Sequence, residues 1–473
     1  MKLSLTRHGL RGAQRLGNVP LISDAMLGRL VRAPVAAIRL AAARKAARRA
    51  LHAVALTGAP EDAAVLALLG LHSDAAEAEG RDAEARAGVM VGRAALGALP
   101  TRGEARALPL EWQRRLAAVA AVHDPAFAAE VLGPGSDQAA CLYAIGPGTA
   151  APVLEDFEGR DVAAMRAGVM LTRGTFREAR AALNAAFEAD GLAGPLEISD
   201  EPLDIHTLNT LPPAVRAEPV EAPALALRQA QGERRGGDDA AETVSVIVPL
   251  HDNAATIQTA LHSLLAQTHA NLDIIVVDDR SRDDGPQRVA SLADPRIRLI
   301  RNKGPRGAAA ARNAGLAEAR GTFIAFHDAD DWAHPERIAR QLGRMGSAGS
   351  VAGHFRMDED GMPIAPRVFP FVRLCPISML IRRQAFLAAG PFEEARTGSD
   401  AEMLARLDTF YGRGAIRRDP AILTVQLWRP GSLSNDGGMG LSSADRYAYR
   451  AAWMRRHAAL WRAGGLPMAV PAS

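Results

Sequence analysis

The alternation of strand-like and helix-like patterns that begins at Thr243 constrains the fold more than any other feature. Short apolar runs such as TVSVIVPL, LDIIVVDD and GTFIAFHDAD alternate with amphipathic segments such as ATIQTALHSLLAQT. Nearly continuous apolar strands are typical of a parallel sheet that helices cover on both faces. The second half of the chain is therefore predicted to be an α/β domain.

Four of these predicted strands end in polar residues. The strand ends are Pro249–Asp252, Asp278–Asp279, Arg301–Asn302 and Asp328–Asp331. The carboxyl ends of parallel strands meet at one edge of the sheet, where ligands of open α/β domains bind. The sequence therefore predicts a ligand site at this edge.

The stretch AFHDADDW places three carboxylates, Asp328, Asp330 and Asp331, at the end of a buried strand. Like charges this close repel, and their burial is unfavourable unless a divalent cation or solvent compensates. Mn²⁺ or Mg²⁺ prefers such oxygen ligands and needs few from the protein. A helix cap is the alternative, although a cap needs one acid. A calcium EF-hand is excluded, because the loop lacks its glycine and glutamate.

Several nucleotide sites are excluded by their missing motifs. No GxGxxG follows the first strand, and no GxxxxGK[ST] occurs. The loop after the first strand, LHDNAAT, also lacks the glycines expected of a sugar nucleotidyltransferase.

Two segments carry a resemblance to a known family. VSVIVPLHDNAATIQTALHSLLAQTHANLDIIVVDDRSRD and RGAAAARNAGLAEARGTFIAFHDADDWAHPERI resemble the nucleotide-binding half of family 2 glycosyltransferases. The similarity runs from Val244 to Leu342 and continues more loosely to Ser434. It implies a GT-A fold, a mostly parallel sheet sandwiched by helices. An all-α, repeat-like domain is predicted to precede it.

The resemblance also implies a UDP-linked nucleotide sugar as the donor. It assigns roles to residues by their positions in the family motifs. The implied nucleotide-sugar-binding residues are Pro249, His251, Asp252, Asp279, Arg312, Asp328 and Arg429. Asp330 is expected to be the direct metal ligand, with Asp328 on ribose or metal-bound water and Asp331 in support. The chain departs from the family pattern at four positions, His251, Asp252, Arg280 and Ser399.

The acceptor half offers one candidate general base. SMLIRRQAFLAAGPFEEARTGSDAEMLARL resembles the family segment in which an acidic pair opens a helix, and Asp400 takes the position of the base. The alternative is that Asp400 caps this helix. Glu402 and Arg406, four residues apart, are predicted to form an ion pair. Arg429 is implied to clamp the diphosphate, and a surface arginine is the alternative.

The composition along the chain predicts five regions. Residues 1–205 have helical spacing, and RAGVM occurs twice, at 86–90 and 166–170. Residues 206–241 have no periodicity and are predicted to be a flexible linker. The remaining regions are the nucleotide-sugar-binding half at 242–345, the acceptor-binding half at 346–436 and a helical tail at 437–473.

Charge is concentrated at the beginning of the chain. Residues 1–55 hold eleven Lys or Arg and one acid, a net +10, whereas the whole chain carries +3. This segment is predicted to be either a solvated helix face or a segment that contacts an anionic membrane surface. Nucleic acid is not expected as a partner, because interleaved aromatic residues and recognition motifs are missing.

Three features of the sequence predict the cellular compartment of the protein. Two cysteines, Cys141 and Cys375, are too few for a disulfide framework. No apolar run reaches membrane-spanning length, and no signal peptide is expected. The protein is therefore predicted to be cytoplasmic, at the inner face of the plasma membrane.

Together with the carboxylates at the strand ends, the family resemblance implies an inverting, metal-dependent glycosyltransferase of the hexosyltransferase type. Its acceptor would be a glycan or a lipid-linked sugar in bacterial surface polysaccharide or glycoconjugate synthesis. The alternative is a degenerate GT-A domain that acts as a scaffold through its helical N-terminal half.

Overall fold

The computed structural model describes residues 99–121, 123–209, 242–365, 368–412 and 414–430, with a few residues of 87–94, 432 and 449–457. The basic segment 1–55, almost all of the predicted linker and most of the predicted tail lie outside these residues. The described chain divides into two compact units at Glu155/Asp156.

The first unit is helical. Its helices are α1 (Arg102–Arg106), α2 (Leu110–Ala120), α3 (Pro125–Val131), α4 (Ser136–Ile145) and α5 (Pro147–Leu154). Thr101 and Glu104 form a capping box at the start of α1, and the Asp124 carboxylate caps α3 by accepting the N–H of Phe127. Trp112, Leu116 and Phe127 lie in the buried core.

The second unit, which we call the sheet unit, contains residues 156–365 and 370–430. Its elements are α6 (Arg160–Thr172), α7 (Phe176–Glu188), a 3₁₀ helix (Ile205–Asn209), β1 (Val244–Leu250), α8 (Ile257–Leu265), β2 (Leu272–Asp278), α9 (Gly285–Ser291), β3 (Ile297–Arg301), α10 (Ala308–Glu318), β4 (Phe323–Phe326), β5 (Asp331–Ala333), α11 (Arg337–Gly343), β6 (Gly349–Met357), β7 (Pro363–Ile364), β8 (Arg373–Leu374), a 3₁₀ helix (Pro376–Ser378), β9 (Leu380–Arg382), α12 (Arg383–Ala389), α13 (Ser399–Tyr411) and β10 (Ile416–Leu427).

One sheet runs through this unit in the order β3-β2-β1-β4-β9-β6-β10-β5, and β7 and β8 pair with β6. The strands β3, β2, β1 and β4 are parallel, as the sequence predicted. β6 and β10 are also parallel, while the short strands β5, β7, β8 and β9 pair antiparallel. The α/β fold class is confirmed, and each antiparallel pair includes one of the short strands β5, β7, β8 and β9.

Helices cover both faces of the sheet and so position the loops at its edge. α8 packs in one apolar cluster with β1 and β2, whereas α10 and α13 lie in the other. A Cβ at Gly315 would lie 2.5 Å from Ile247 Cγ2, so α10 approaches β1 as closely as only a glycine allows. Arg312 and Asn313 on α10 are thereby held beside the strand ends.

The helices α6 and α7, which we call the hairpin, belong to the sheet unit. The fully buried ring of Phe187 packs against Trp332, His334 and Phe355, with centroids 6.0, 5.5 and 6.2 Å away. The Asp190 carboxylate accepts the N–H of Ile422 at 2.8 Å. The compact units therefore separate at 155/156 and not near 205, because the apolar face of α7 completes the sheet's core.

The helices described by the structure include none that is both long enough and apolar enough to cross a bilayer.

Candidate active site

The carboxyl ends of β1, β2 and β4 lie side by side. Leu250 pairs with Asp278, so the loops after β1 and β2 begin at the same level, whereas β4 ends at Phe326, opposite Ile247, three residues before the end of β1. Pro249 lies within β1, opposite Val277. The edge predicted from the sequence therefore brings the β1, β2 and β4 loops together.

Asp279 is buried, and hydrogen bonds hold both its carboxylate and its backbone N–H. It is 5% exposed, and its Oδ1 accepts a hydrogen bond from Asn302 Nδ2 at 2.7 Å, while Oδ2 accepts the N–H of Gly307 at 2.7 Å. Its own N–H donates to the carbonyl of Leu250 at 2.7 Å. The carboxylate thus has a defined direction, and each oxygen keeps a lone pair for a further donor.

His251 and Asp252 connect the loop after β1 to the loop after β2. His251 Nδ1 lies 3.0 Å from the carbonyl oxygen of Asp279. Asp252 adopts a φ of 49°, and its Oδ1 accepts the N–H of Arg282 at 2.7 Å. This backbone hydrogen bond lowers the pKa of Asp252, so the carboxylate is charged at neutral pH. The two loops form one wall of the site.

Arg280 keeps the backbone conformation that glycine favours. Its φ is 64°, which is costly for a residue with a Cβ. Its Nη2 donates to the carbonyl of Gly304 at 2.7 Å, in the loop that also supplies Asn302 and Gly307. The arginine therefore links the two segments that hold Asp279.

Asp328, Asp330 and Asp331, which we call the acidic segment, each have a separate partner. Arg312 Nη2 donates to Asp328 Oδ1 at 2.6 Å, and Arg429 Nη2 lies 3.5 Å from Asp330 Oδ2. Asp331 belongs to β5, a strand that the sequence did not predict, and Asp331 Oδ2 accepts a hydrogen bond from Gln426 Nε2 at 3.0 Å.

Negative charge is in surplus within the acidic segment. Burial, followed by the charge of Asp328, raises the pKa of Asp330. Burial, followed by the charges of Asp330 and Asp328, raises the pKa of Asp331 well above its usual range. An added cation would therefore stabilise the ionised carboxylates.

Two buried side chains, His327 and Arg337, support the acidic segment, and neither had a role in the sequence-based prediction. Arg337 Nη2 donates to the carbonyl of Phe326 at 2.7 Å, and Arg337 Nη1 lies 3.1 Å from His327 Nδ1. Because arginine only donates, Nδ1 accepts and Nε2–H points to the carbonyl of Asp331, 3.0 Å away. Burial, then Arg337, lowers the pKa of His327 to about 3, so this ring stays neutral.

The residues of the acidic segment fit a hard divalent cation. Among the described residues, no group of three or more His, Cys, Asp or Glu is arranged to hold a metal. Mn²⁺ and Mg²⁺ in phosphate sites nevertheless need only one or two protein carboxylates, the other ligands being water and substrate oxygens. Asp328 and Asp330, with their unbalanced negative charge, have this chemistry.

Asp400 lies in the first turn of α13 and is half-buried. The N-cap of this helix is Gly398, in a left-handed conformation, so the alternative in which Asp400 is the cap is wrong. The charges of Asp331, Asp400 and Asp328 all act on the buried thiol of Cys375, whose pKa burial raises to about 12. Asp400 is therefore within electrostatic reach of the same buried point as the acidic segment.

The predicted ion pair on α13 is confirmed. Arg406 Nε donates to Glu402 Oε1 at 2.9 Å, and the Glu402 side chain is fully buried. Arg406 also donates to the carbonyls of Ala389 and Pro391, so it ties the start of α13 to the turn before it. This network fixes the backbone that carries Asp400.

Arg429 follows β10 and points into the site. Its Nη2 donates to Asn253 Oδ1 in addition to its contact with Asp330. The side chain is 30% exposed, and its role as a clamp on the diphosphate stays a prediction. Asn253 and Gln426 were both missed from the sequence, because an isolated amide carries no signal of its partner.

Comparisons with known proteins agree with this geometry. Residues 245–384 match the model of the family "Glycosyl transferase family 2". The succinoglycan biosynthesis protein ExoO of Rhizobium meliloti (strain 1021) is 44% identical over 115 residues, which are 24% of this chain and 32% of that protein. Residues 245–384 are therefore similar to family 2 glycosyltransferases, and they lie in the α/β sheet unit.

Another relative is a UDP-Glc:alpha-D-GlcNAc-diphosphoundecaprenol beta-1,3-glucosyltransferase, WfgD of Escherichia coli. It is 40% identical over 102 residues, 22% of this chain and 40% of that protein. The chain thus spans less than half the length of either relative. The crystal structure of S. aureus TarS 1-349 with UDP-GlcNAc aligns at 18% identity and a TM-score of 0.33, over 47% of this chain and 74% of that one.

Proposed function

We propose that this chain transfers a sugar from a UDP-linked donor to a glycan or lipid-linked acceptor in bacterial surface glycan synthesis. The observation that carries the proposal is the set of oriented charges at the strand ends, within a family 2 domain. This set comprises Asp279, Asp328, Asp330 and Arg429. The donor and acceptor classes are taken from the activity of the relative WfgD, and the glycan context from the role of ExoO in succinoglycan biosynthesis.

Asp279 would orient the base of the donor. Its carboxylate is fixed by Asn302 and Gly307, and it can accept the imide N–H of uracil with a remaining lone pair. Pro249, His251 and Asp252 would line the base and ribose pocket from the loop after β1. The rigidity of this wall lowers the entropy that binding must offset.

The acidic segment would hold Mn²⁺ or Mg²⁺ against the diphosphate. Asp330 is the proposed direct ligand, with Asp328 and Asp331 in support. A bound divalent cation supplies neutralisation of the charge that develops on the leaving diphosphate. Arg312 holds Asp328 in place, and Arg429 has the planar donor geometry that suits phosphate oxygens.

Asp400 would take the proton of the acceptor hydroxyl as that oxygen attacks the anomeric carbon from the face opposite the diphosphate. One carboxylate acting in this way gives inversion at the anomeric centre. The network of Glu402 and Arg406 keeps the first turn of α13 in position for this role.

Replacing Asp400 by asparagine should lower the rate of sugar transfer by about 100-fold or more, because the proton acceptor is lost. UDP affinity should stay within about twofold, since no donor contact is removed. UDP release from a panel of UDP-sugars with a lipid-linked acceptor, together with UDP titration, measures both. Asp360→Asn, at an exposed turn, is the control. Full transfer activity in Asp400→Asn would assign the base elsewhere.

The segment 1–55, with its net +10, would hold the enzyme at the anionic inner face of the plasma membrane, in the cytoplasm. We expect the full chain to float with vesicles that contain anionic lipid and to dissociate as salt is raised. Vesicles of neutral lipid are the control. Equal flotation with both kinds of vesicle, or with neither, would contradict this location.

A further inference from the structure

Arg429 lies where the proposed function requires a metal ion. Its guanidinium donates to Asn253 Oδ1 and reaches to 3.5 Å from Asp330 Oδ2. The main chain just before it is anchored, because Trp428 N–H donates to the carbonyl of Met357 at 2.7 Å. Movement of the long side chain alone can therefore take the guanidinium away from Asp330.

The two carboxylates nearest the expected metal are paired unequally. Arg312 Nη2 is 2.6 Å from Asp328, and this arginine is buried and also faces the ring of Phe392. Arg429 is 3.5 Å from Asp330 and its side chain is 30% exposed. The Asp330 pair is thus the longer of the two, and its arginine is the more exposed.

We infer that Arg429 is a resident counter-ion of Asp330, which a divalent cation must displace and which the donor's diphosphate then receives. The inference rests on the proposed function and adds the order in which Arg429 contacts first Asp330 and then the diphosphate. A metal arriving alone competes with the guanidinium for Asp330. A metal that arrives with a nucleotide diphosphate does not compete with the guanidinium, because the phosphate oxygens give Arg429 another anion to bind. Metal and nucleotide should therefore bind with positive coupling that passes through Arg429.

The test is two calorimetric titrations of the full chain, one with Mn²⁺ in the absence of nucleotide and one with UDP in the presence of saturating Mn²⁺. Arg429→Gln removes the competing charge, so Mn²⁺ alone should bind at least about fivefold more tightly than to wild type. UDP in the presence of Mn²⁺ should bind more weakly, because its diphosphate loses a partner. Opposite changes in the two affinities distinguish displacement from general damage to the site.

Arg298→Gln is the matched control, since it removes the same charge from a pair with Asp273 on β2, among residues that take no part in the site. It should leave both affinities unchanged. Arg429→Lys keeps the charge but not the planar fork, and its affinity for Mn²⁺ alone should fall between those of wild type and Arg429→Gln.

Equal or weaker binding of Mn²⁺ alone by Arg429→Gln would overturn the inference, and would leave the proposed function intact if wild type still binds UDP with Mn²⁺. Absence of Mn²⁺ binding by wild type even with UDP would overturn both.

Discussion

Asp330→Asn should eliminate metal-dependent UDP binding and lower sugar transfer by more than about 100-fold, because it removes the proposed direct ligand of the cation. Asparagine keeps the size and one oxygen but not the charge. Without that charge, the diphosphate leaving group would lose the cation that neutralises it. Steady-state transfer rates over a range of Mn²⁺ concentrations measure the effect.

The same substitution should not destabilise the protein. Burial and the neighbouring Asp328 raise the pKa of Asp330, so the charged carboxylate is unfavourable in the folded protein above its usual pKa. A neutral side chain removes this penalty, and the thermal midpoint should be unchanged or higher. Asp360→Asn again serves as the control. Metal-dependent transfer at the wild-type rate in Asp330→Asn would rule out its role as ligand.

Phe187→Ala should lower the free energy of unfolding of the sheet unit by about 3–5 kcal/mol, because it opens a cavity in a closely packed core. Phe187 is fully buried and contacts Trp332, His334 and Phe355. Trp332 follows Asp331 directly in β5, so the loss also weakens support for the acidic segment. The shift of the urea midpoint of the full chain, followed by tryptophan fluorescence, measures the effect.

The matched control for Phe187 is Leu387→Ala, on α12 of the same unit. Leu387 is 49% exposed, so its truncation should change stability by less than about 0.5 kcal/mol. A loss below about 1 kcal/mol for Phe187→Ala would contradict the conclusion that the hairpin is part of the core.

The strands β1 to β4 and the helices between them could be predicted, because a buried parallel sheet needs nearly continuous apolar strands. The position of the hairpin could not. Helical spacing shows that α7 has a face to bury, but not that Phe187 buries it against Trp332. β5 was also missed, since its three residues are too short to show a period.

The candidate site likewise contains residues whose positions could be predicted and residues whose contacts could not. Carboxylates at strand ends, such as Asp279 and Asp330, have positions that follow from topology, and their roles stay predictions. Asn302 was also expected at this edge, although its hydrogen bond to Asp279 was not, whereas Arg337 and Asn253 carry no motif that indicates their contacts. The departure from the family pattern at Arg280 could be seen in the sequence, but the positive φ of Arg280 could not.

The central claim is that the strand ends form a metal-dependent nucleotide site, and UDP titration of the full chain with and without Mn²⁺ tests it most directly. We expect saturable binding with Mn²⁺ that weakens by at least about tenfold when the metal is chelated. Failure to bind UDP under either condition would contradict the account and favour a degenerate domain that acts as a scaffold.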